Sequence, residues 1–283
     1  MRFTGLKYLQ LLACLGLFAC GSAERYDVVI VGGGASGTAA GLQAARMGAR
    51  TLIVEEFDWL GGMLTSAGVS ATDGNYRLRG GIWDEFRTEL ARHYGCDSAL
   101  ITGWVSNVMF EPSVGDSIFK RLVAREPNLT VWYRSAAETA ERGKDVWRLG
   151  VRRNGRLRPV EADVLVDATE LGDVARMAGV PYDVGMDSSD VTHEDIAPAE
   201  ANGIVQDLTY VAVLKDYGRD VTIPRPDGYD PSLFACCCVN DLCIAPKEPH
   251  RMWSREMMIT YGKLPDGKYM INWPIEGNDY YVD

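Results

Sequence analysis

Histidine, positive charge and spaced cysteine pairs are all scarce in this chain. Three of its 283 residues are histidines, and 29 Lys and Arg stand against 39 Asp and Glu, for a formal net charge of -10. Nucleic-acid binding needs a basic surface, so this balance predicts no nucleic-acid partner. The candidates for acid–base work by imidazole are therefore His93, His193 and His250, and the pattern identifies none of them as catalytic.

The seven cysteines include no CxxC pair, the usual spacing of zinc and iron–sulfur ligands. Four of them cluster in Cys236–Cys238 and Cys243. We interpret the run of three as strand residues, because adjacent side chains point in divergent directions. A local disulfide is the second interpretation and an iron–sulfur cluster the third, so no metal site is predicted.

Long hydrophobic runs are missing except at the start of the chain. The run over residues 8–18 follows two basic residues and is too short to span a membrane. Leu17–Cys20 resembles a bacterial lipobox. We expect residues 1–19 to be a lipoprotein signal peptide and Cys20 to be the lipidated N-terminus of an exported periplasmic or outer-membrane protein. Cleavage after Ala23 is the alternative.

What the chain does have is a strand–helix–strand pattern directly after this segment. Val28–Val31 is a continuous apolar run, as in a parallel strand buried on both faces. Ala35–Met47 is an Ala-rich helical stretch that Gly48 ends, and Thr51–Val54 is a second buried run. Glycines fill the turn between the first strand and the helix, which predicts an α/β fold.

Three of these glycines, Gly32, Gly34 and Gly37, form a GxGxxG motif. The first permits a tight turn, the second lets a pyrophosphate approach the backbone, and the third lets the helix pack on the strand. Ala35 and Ser36 begin the helix, where free N–H groups attract phosphate. The motif therefore predicts dinucleotide binding, and a chance glycine-rich turn is the alternative.

Glu55 ends the second strand. A carboxylate at this point can accept hydrogen bonds from the hydroxyls of an adenosine ribose, and it would repel a 2′-phosphate. The strand–helix–strand unit with Glu55 thus disfavours NADP as the cofactor, but it does not distinguish between FAD and NAD.

Further along the chain, helices are predicted over Ile82–Tyr94 and after Pro112 from apolar residues spaced by about four. A hairpin turn is predicted at Asn154-Gly155. A buried strand over Ala162–Val166 and a helix over Leu171–Ala178 are expected to follow.

The segment ADVLVDATELGDVARMAGVPYDVG resembles the second conserved strand of FAD-dependent oxidoreductases with a glutathione-reductase-like fold. In that family an Asp-Ala-Thr-Gly turn closes over the FAD diphosphate. Asp167, Ala168 and Thr169 match it, and Glu170 stands where glycine is commonest. The resemblance implies FAD as the cofactor, and the same turn argues against the alternative of an NAD-dependent enzyme.

Other family landmarks support this resemblance. Trp59–Thr65 resembles the glycine pair whose backbone faces the flavin, which implies cofactor contacts at Gly62 and Met63. Gly80–Trp83, Phe110–Pro112 and Arg225–Pro231 also resemble family segments. Some relatives are labelled xanthan lyase, but no group of residues in this chain supports lyase chemistry.

The resemblance implies a Rossmann-like, three-layer FAD-binding domain with helical insertions over residues 20–185, then a mostly β substrate region over 186–283. In that family the chain returns to the FAD domain at its C-terminal end. No Gly-rich turn leading into an Ala-rich helix follows Gly185, so we expect the substrate region to be incomplete.

The function implied is that of an FAD-dependent oxidoreductase. It would pass a hydride from an unknown small-molecule or carbohydrate substrate to the flavin, which an unknown electron acceptor would reoxidise. A carbohydrate-active lyase or a glycan-binding surface protein on the same fold is the alternative.

Overall fold

The glycine-rich motifs and the Asp167–Glu170 turn fall within the part of the chain that the structure describes. The computed structural model describes residues 23–74, 76–206, 208–234, 254–272 and 279–280. The predicted signal peptide, Cys20, Cys236–Cys238, Cys243 and His250 lie outside the described residues. What the sequence predicts for them stays a prediction.

One sheet organises the N-terminal part. Its strands are β1 (Glu24–Val31), β2 (Thr51–Val54), β3 (Leu129–Trp132), β4 (Ser135–Arg142), β5 (Trp147–Arg153) and β6 (Arg156–Asp167). The helices are α1 (Ala35–Arg46), α2 (Gly81–Tyr94), α3 (Pro112–Ala124) and α4 (Asp173–Met177). The predicted strand–helix–strand unit, the two helices after it and the hairpin at Asn154-Gly155 are all confirmed.

The strand order is β3-β2-β1-β6-β5-β4. The first four of these strands pair in parallel, and β6, β5 and β4 pair antiparallel as a meander. Val31 lies opposite Val54 on one side and opposite Asp167 on the other. The carboxyl ends of β2, β1 and β6 therefore meet at one edge of the sheet, and the predicted α/β class is confirmed.

Both faces of the central strands are covered, which makes three layers. Ile30 and Ile53 pack toward the helices, in a cluster with Leu42, Phe86, Phe110, Ile118 and Phe119. Val29 and Leu52 point the other way and pack against the meander, in a cluster with Trp132, Leu149, Val151 and Val160. Because side chains alternate along a strand, burial on both faces requires the continuous apolar runs seen in the sequence.

Strand β6 departs from the prediction of a short buried strand. It is longer than Ala162–Val166, and Val164 near its end is 52% exposed. The reason is that β5 pairs with β6 only as far as Ala162, and no other described strand covers that edge of residues 163–167. The helix predicted over Leu171–Ala178 is also shorter, since α4 begins at Asp173 and ends at Met177.

Beyond Gly185 the described residues form short elements. These are α5 (Ser189–Thr192), β7 (Leu208–Thr209), β8 (Ala212–Lys215), α6 (Arg255–Tyr261), β9 (Lys263–Leu264), β10 (Lys268–Ile271) and β11 (Asp279–Tyr280). Strands β8, β10 and β9 form an antiparallel sheet, and β7 pairs with β11. Helix α6 was not predicted, although Ser254 caps it by accepting a hydrogen bond from the backbone N–H of Met257 at 3.1 Å.

A small apolar cluster joins this region to the first part. Met109 packs with Tyr261, Leu264 and Met270, all four buried. The hydroxyl of Thr102 also donates to the carbonyl of Lys263 at 2.5 Å. Among the described residues, no helix is both long and apolar enough to cross a membrane.

The contact between α2 and α3 gives a test of the helical layer. The ring of Phe86 stacks on Phe119 with centroids 4.3 Å apart and meets Phe110 edge-on at 5.4 Å. Phe86→Ala should lower the free energy of unfolding by about 3–5 kcal/mol, because a large cavity would remain. Phe57→Ala is the control: this ring is 59% exposed, and its loss should cost about 0.5 kcal/mol or less. Similar losses in urea denaturation of both variants would contradict this packing.

Candidate functional site

The glycine-rich turn lies between the end of β1 and the start of α1. Two of its glycines are demanded by packing. A Cβ on Gly32, whose φ is +100°, would lie 2.2 Å from the carbonyl oxygen of Ala168. A Cβ on Gly37 would lie 2.0 Å from the carbonyl oxygen of Gly32. These positions let the helix and the β6 turn approach the end of β1 closely.

Gly34 is different, because no contact among the described residues requires a glycine there. Its φ of -58° is open to any residue. The nearest atom of the described residues to a Cβ at this position would be Oε1 of the Glu170 side chain, 3.6 Å away. The space above Gly34 is thus free for a group that does not belong to the described chain.

The first turn of α1 faces this same space. Ala35 and Ser36 are exposed, the N-cap Gly34 provides no side-chain cap, and the turn contains no acidic residue. The first N–H groups of a helix have no partner within the helix. They and the positive end of the helix dipole favour an anion at this point.

Glu55 lies beneath the glycine turn rather than out in solvent. Its Oε2 accepts from the backbone N–H of Gly33 at 2.6 Å, and its Oε1 accepts from the backbone N–H of Phe57 at 2.8 Å. The residue is only 7% exposed. Burial raises the pKa of the Glu55 carboxyl, and the two backbone hydrogen bonds oppose this shift. The carboxylate therefore fastens the turn to the end of β2, and its predicted contact with a ribose stays a prediction.

The turn at the end of β6 is held by its own side chains. Oδ1 of Asp167 accepts from the backbone N–H and the hydroxyl of Thr169 at 2.9 and 2.7 Å, and Oδ2 accepts from the N–H of Ala175 at 2.7 Å. Burial works against ionisation of Asp167, but these hydrogen bonds outweigh it and lower the pKa of the carboxyl. The N–H of Ala168 donates to the carbonyl of Val31 at 2.8 Å, so this turn sits against the start of the glycine turn.

A third stretch meets the glycine turn from the other side. The N–H of Gly61 donates to the carbonyl of Gly33 at 2.8 Å, and Gly61 pairs with Gly34 in an isolated bridge. A Cβ on Gly62 would lie 3.0 Å from the Cα of Gly34. Met63 is 60% exposed beside it. The structure thus brings together the three segments that the sequence analysis singled out separately.

Glu170 belongs to this site in a way that the sequence did not predict. Its Oε1 lies 3.6 Å from the Cβ position of Gly34 and 3.3 Å from that of Gly62. The side chain is exposed. A carboxylate therefore overhangs the space at the positive end of α1. The one feature of the sequence that could have indicated this role was Glu170 itself, which stands where the family usually has glycine.

A cavity of about 390 Å³ is lined by residues that flank the Gly61–Met63 segment in the chain. It is lined by Trp59 and residues 65–68, by the start of α3, and by β8 with Lys268 from β10. Neither this cavity nor a smaller one of about 170 Å³ near Glu24 is lined by a histidine among the described residues. His93 and His193 are exposed. No group of His, Cys, Asp and Glu within the described ranges could hold a metal ion.

The chain has distant likenesses to solved structures. A geranylgeranyl bacteriochlorophyll reductase-like protein from Thermoplasma acidophilum is 19% identical with a TM-score of 0.42, over 58% of this chain and 45% of that one. L-proline dehydrogenase from P. horikoshii is 19% identical with a TM-score of 0.32, over 59% of this chain and 25% of that one. Bacillithiol disulfide reductase from Staphylococcus aureus is 15% identical with a TM-score of 0.32, over 52% of this chain and 38% of that one.

Sequence comparison is more informative. A curated NADH:fumarate oxidoreductase from Klebsiella pneumoniae (strain 342) is 44% identical over 63 residues, which are 22% of this chain and 7% of that protein. The chain thus spans a small share of that relative's length. A family described as FAD dependent oxidoreductase matches residues 27–283, which is nearly the whole chain. The chain therefore belongs to the FAD-dependent oxidoreductase family.

Proposed function

We propose that the chain binds FAD along the edge formed by Gly32–Gly37, Gly61–Met63 and Asp167–Thr169, and that it passes a hydride from a substrate to the flavin. The observation that carries this proposal is the free space above Gly34. Packing among the described residues accounts for Gly32 and Gly37 but not for a glycine at Gly34, which a bound diphosphate close to the backbone would explain. A diphosphate at the N-terminus of α1 has the charge that this position favours.

The residues present fit such a cofactor. Bound flavin would supply the redox chemistry by accepting a hydride. The chain supplies position: Glu55 holds Gly33, and Asp167 with Thr169 holds the β6 turn, so hydrogen bonds within the chain shape this backbone without the cofactor. Along the chain, Gly62 and Met63 lie between Trp59 and Thr65, which both line the 390 Å³ cavity, so a substrate in that cavity would lie near the proposed cofactor site.

Identification of the cofactor tests the proposal directly. Purified protein should be yellow, and denaturation should release FAD that chromatography and mass spectrometry identify. Reduction by a substrate should bleach the flavin absorption without added nicotinamide. A colourless protein that binds glycan would support the lyase or glycan-binding alternative, and release of NAD would contradict the FAD assignment.

Gly34 and Gly37 form a matched pair of tests. Gly34→Ala should leave the free energy of unfolding within about 1 kcal/mol of the wild type, because the new Cβ meets no close atom. It should weaken FAD binding about tenfold or more, since the methyl group stands where the diphosphate approaches; tenfold is about 1.4 kcal/mol. Titration of apoprotein with FAD, followed by flavin fluorescence, measures this.

The control is Gly37→Ala, which should lower the stability of the fold, whereas Gly34→Ala should not. Its Cβ would lie 2.0 Å from the carbonyl oxygen of Gly32, so we expect about 3 kcal/mol or more of lost stability. Unchanged FAD affinity in a stable Gly34→Ala protein would remove Gly34 from the site.

Glu170 should oppose cofactor binding. Its carboxylate overhangs Gly34, where the diphosphate is proposed to bind, and like charges repel. Glu170→Gln should therefore tighten FAD binding about three- to tenfold at low salt, and less at high salt because exposed charges are screened. Glu141→Gln, an exposed change on β4, is the charge-matched control and should have no effect. Equal affinity in both variants would show that Glu170 does not face the cofactor.

A further inference from the structure

Two lysines stand directly opposite each other in the small antiparallel sheet. Lys215 of β8 pairs with Lys268 of β10. Directly opposite residues of an antiparallel pair project from the same face, and like charges in this arrangement destabilise the sheet. Both lysines line the 390 Å³ cavity beside the proposed cofactor site. Two cations are thus placed on the same wall of one cavity.

Only one of the two charges is balanced within the described residues. Lys268 forms an ion pair with Glu111, whose side chain is 9% exposed, while that of Lys268 is 29% exposed. Lys215 has no carboxylate within ion-pair distance in the described part of the chain, and its ammonium lies 5.4 Å from the centre of the Tyr217 ring. The adjacent Asp216 is engaged elsewhere, because its Oδ1 accepts from the N–H of Gly218 at 2.7 Å.

The rest of the cavity wall suits a small organic molecule. Trp59, Val211 and Val213 supply apolar surface, and the hydroxyls of Ser66 and Ser113 belong to exposed residues. A volume of about 390 Å³ falls in the range of small-ligand pockets, which combine apolar walls with a few fixed polar groups. The balance of Lys215, Lys268 and Glu111 leaves one positive charge, which matches one carboxylate on the ligand.

We propose that this cavity is the substrate site and that it selects a substrate bearing a carboxylate, which pairs with Lys215. Calling the ligand a substrate rests on the proposed oxidoreductase function. The charge selectivity rests only on the cavity and its three charged residues.

Calorimetric titration can test the charge selectivity with two acid–amide pairs as probes: succinate against succinamide, and glucuronate against glucuronamide. At low salt the wild-type protein should bind at least one acid about five- to tenfold more tightly than its neutral amide, as expected for one partly exposed ion pair. Lys215→Met should remove this preference, and Lys215→Arg should keep most of it. Lys144→Met, an exposed change in the β4–β5 turn, is the control and should match the wild type.

Glu111→Gln provides a change in the opposite direction. It frees Lys268 from its ion pair, so the preference for the acid should grow, whereas a general disturbance of the cavity would not strengthen binding. Equal affinity of the wild type for each acid and its amide would overturn the proposal. So would a preference that survives Lys215→Met, or acid binding that disappears once the protein is loaded with FAD.

The flavin content of every sample separates this proposal from the function on which it rests. Absence of flavin after attempted loading would contradict the proposed oxidoreductase, while the preference for the acid could still be measured on that protein. Full flavin content with no such preference would reject the carboxylate site alone.

Discussion

Parallel pairing of β1 with β2 on one side and β6 on the other is the constraint on which the rest of the site depends. The register that sets Val31 opposite both Val54 and Asp167 brings three strand ends to one edge. A shift of one residue would exchange the β1 side chains that pack on the helices with those that pack on the meander, so the packing on both faces fixes this register. The position of the glycine turn against Ala168 follows from it.

Two acidic residues hold the turns at that edge in place. Glu55 and Asp167 are both used to hold backbone N–H groups, at Gly33 and Phe57 in one case and at Thr169 and Ala175 in the other. Placing a carboxylate in a partly buried position is costly unless its oxygens are satisfied. Here backbone donors satisfy them, and these contacts order the turns. The glycine turn and the β6 turn that face the proposed cofactor are thus held by hydrogen bonds within the chain, and the Glu170 carboxylate overhangs the space between them and Gly62.

The region after Gly185 contributes one wall of the proposed substrate cavity. The cavity beside Gly61–Met63 is closed on one side by β8 and β10, and the ion pair between Lys268 and Glu111 links that sheet to the N-cap of α3. Substrate selection is therefore proposed to come from this short sheet, while cofactor binding comes from the first part. The apolar contact of Met109 with Tyr261 and Met270 keeps the two in one arrangement.

Local patterns in the sequence were enough for the α/β class, the strand–helix–strand unit and the segments of the candidate site. Continuous apolar runs reflect burial on both faces, and glycines mark turns whose geometry is set within a few residues. The same reasoning failed for Val164 and for α6. The exposure of Val164 depends on where β5 stops pairing, and α6 has only seven residues, begun by the cap at Ser254.

What the sequence by itself determined was which segments carry the chemistry; the tertiary structure decided how their side chains are used. Only the fold shows that the carboxylate of Glu55 is occupied by backbone donors, that Glu170 overhangs Gly34, and that Lys215 faces Lys268. The physical reason is distance along the chain. Each of these contacts joins residues from different elements, so it depends on strand register and packing, which no local spacing of residues encodes.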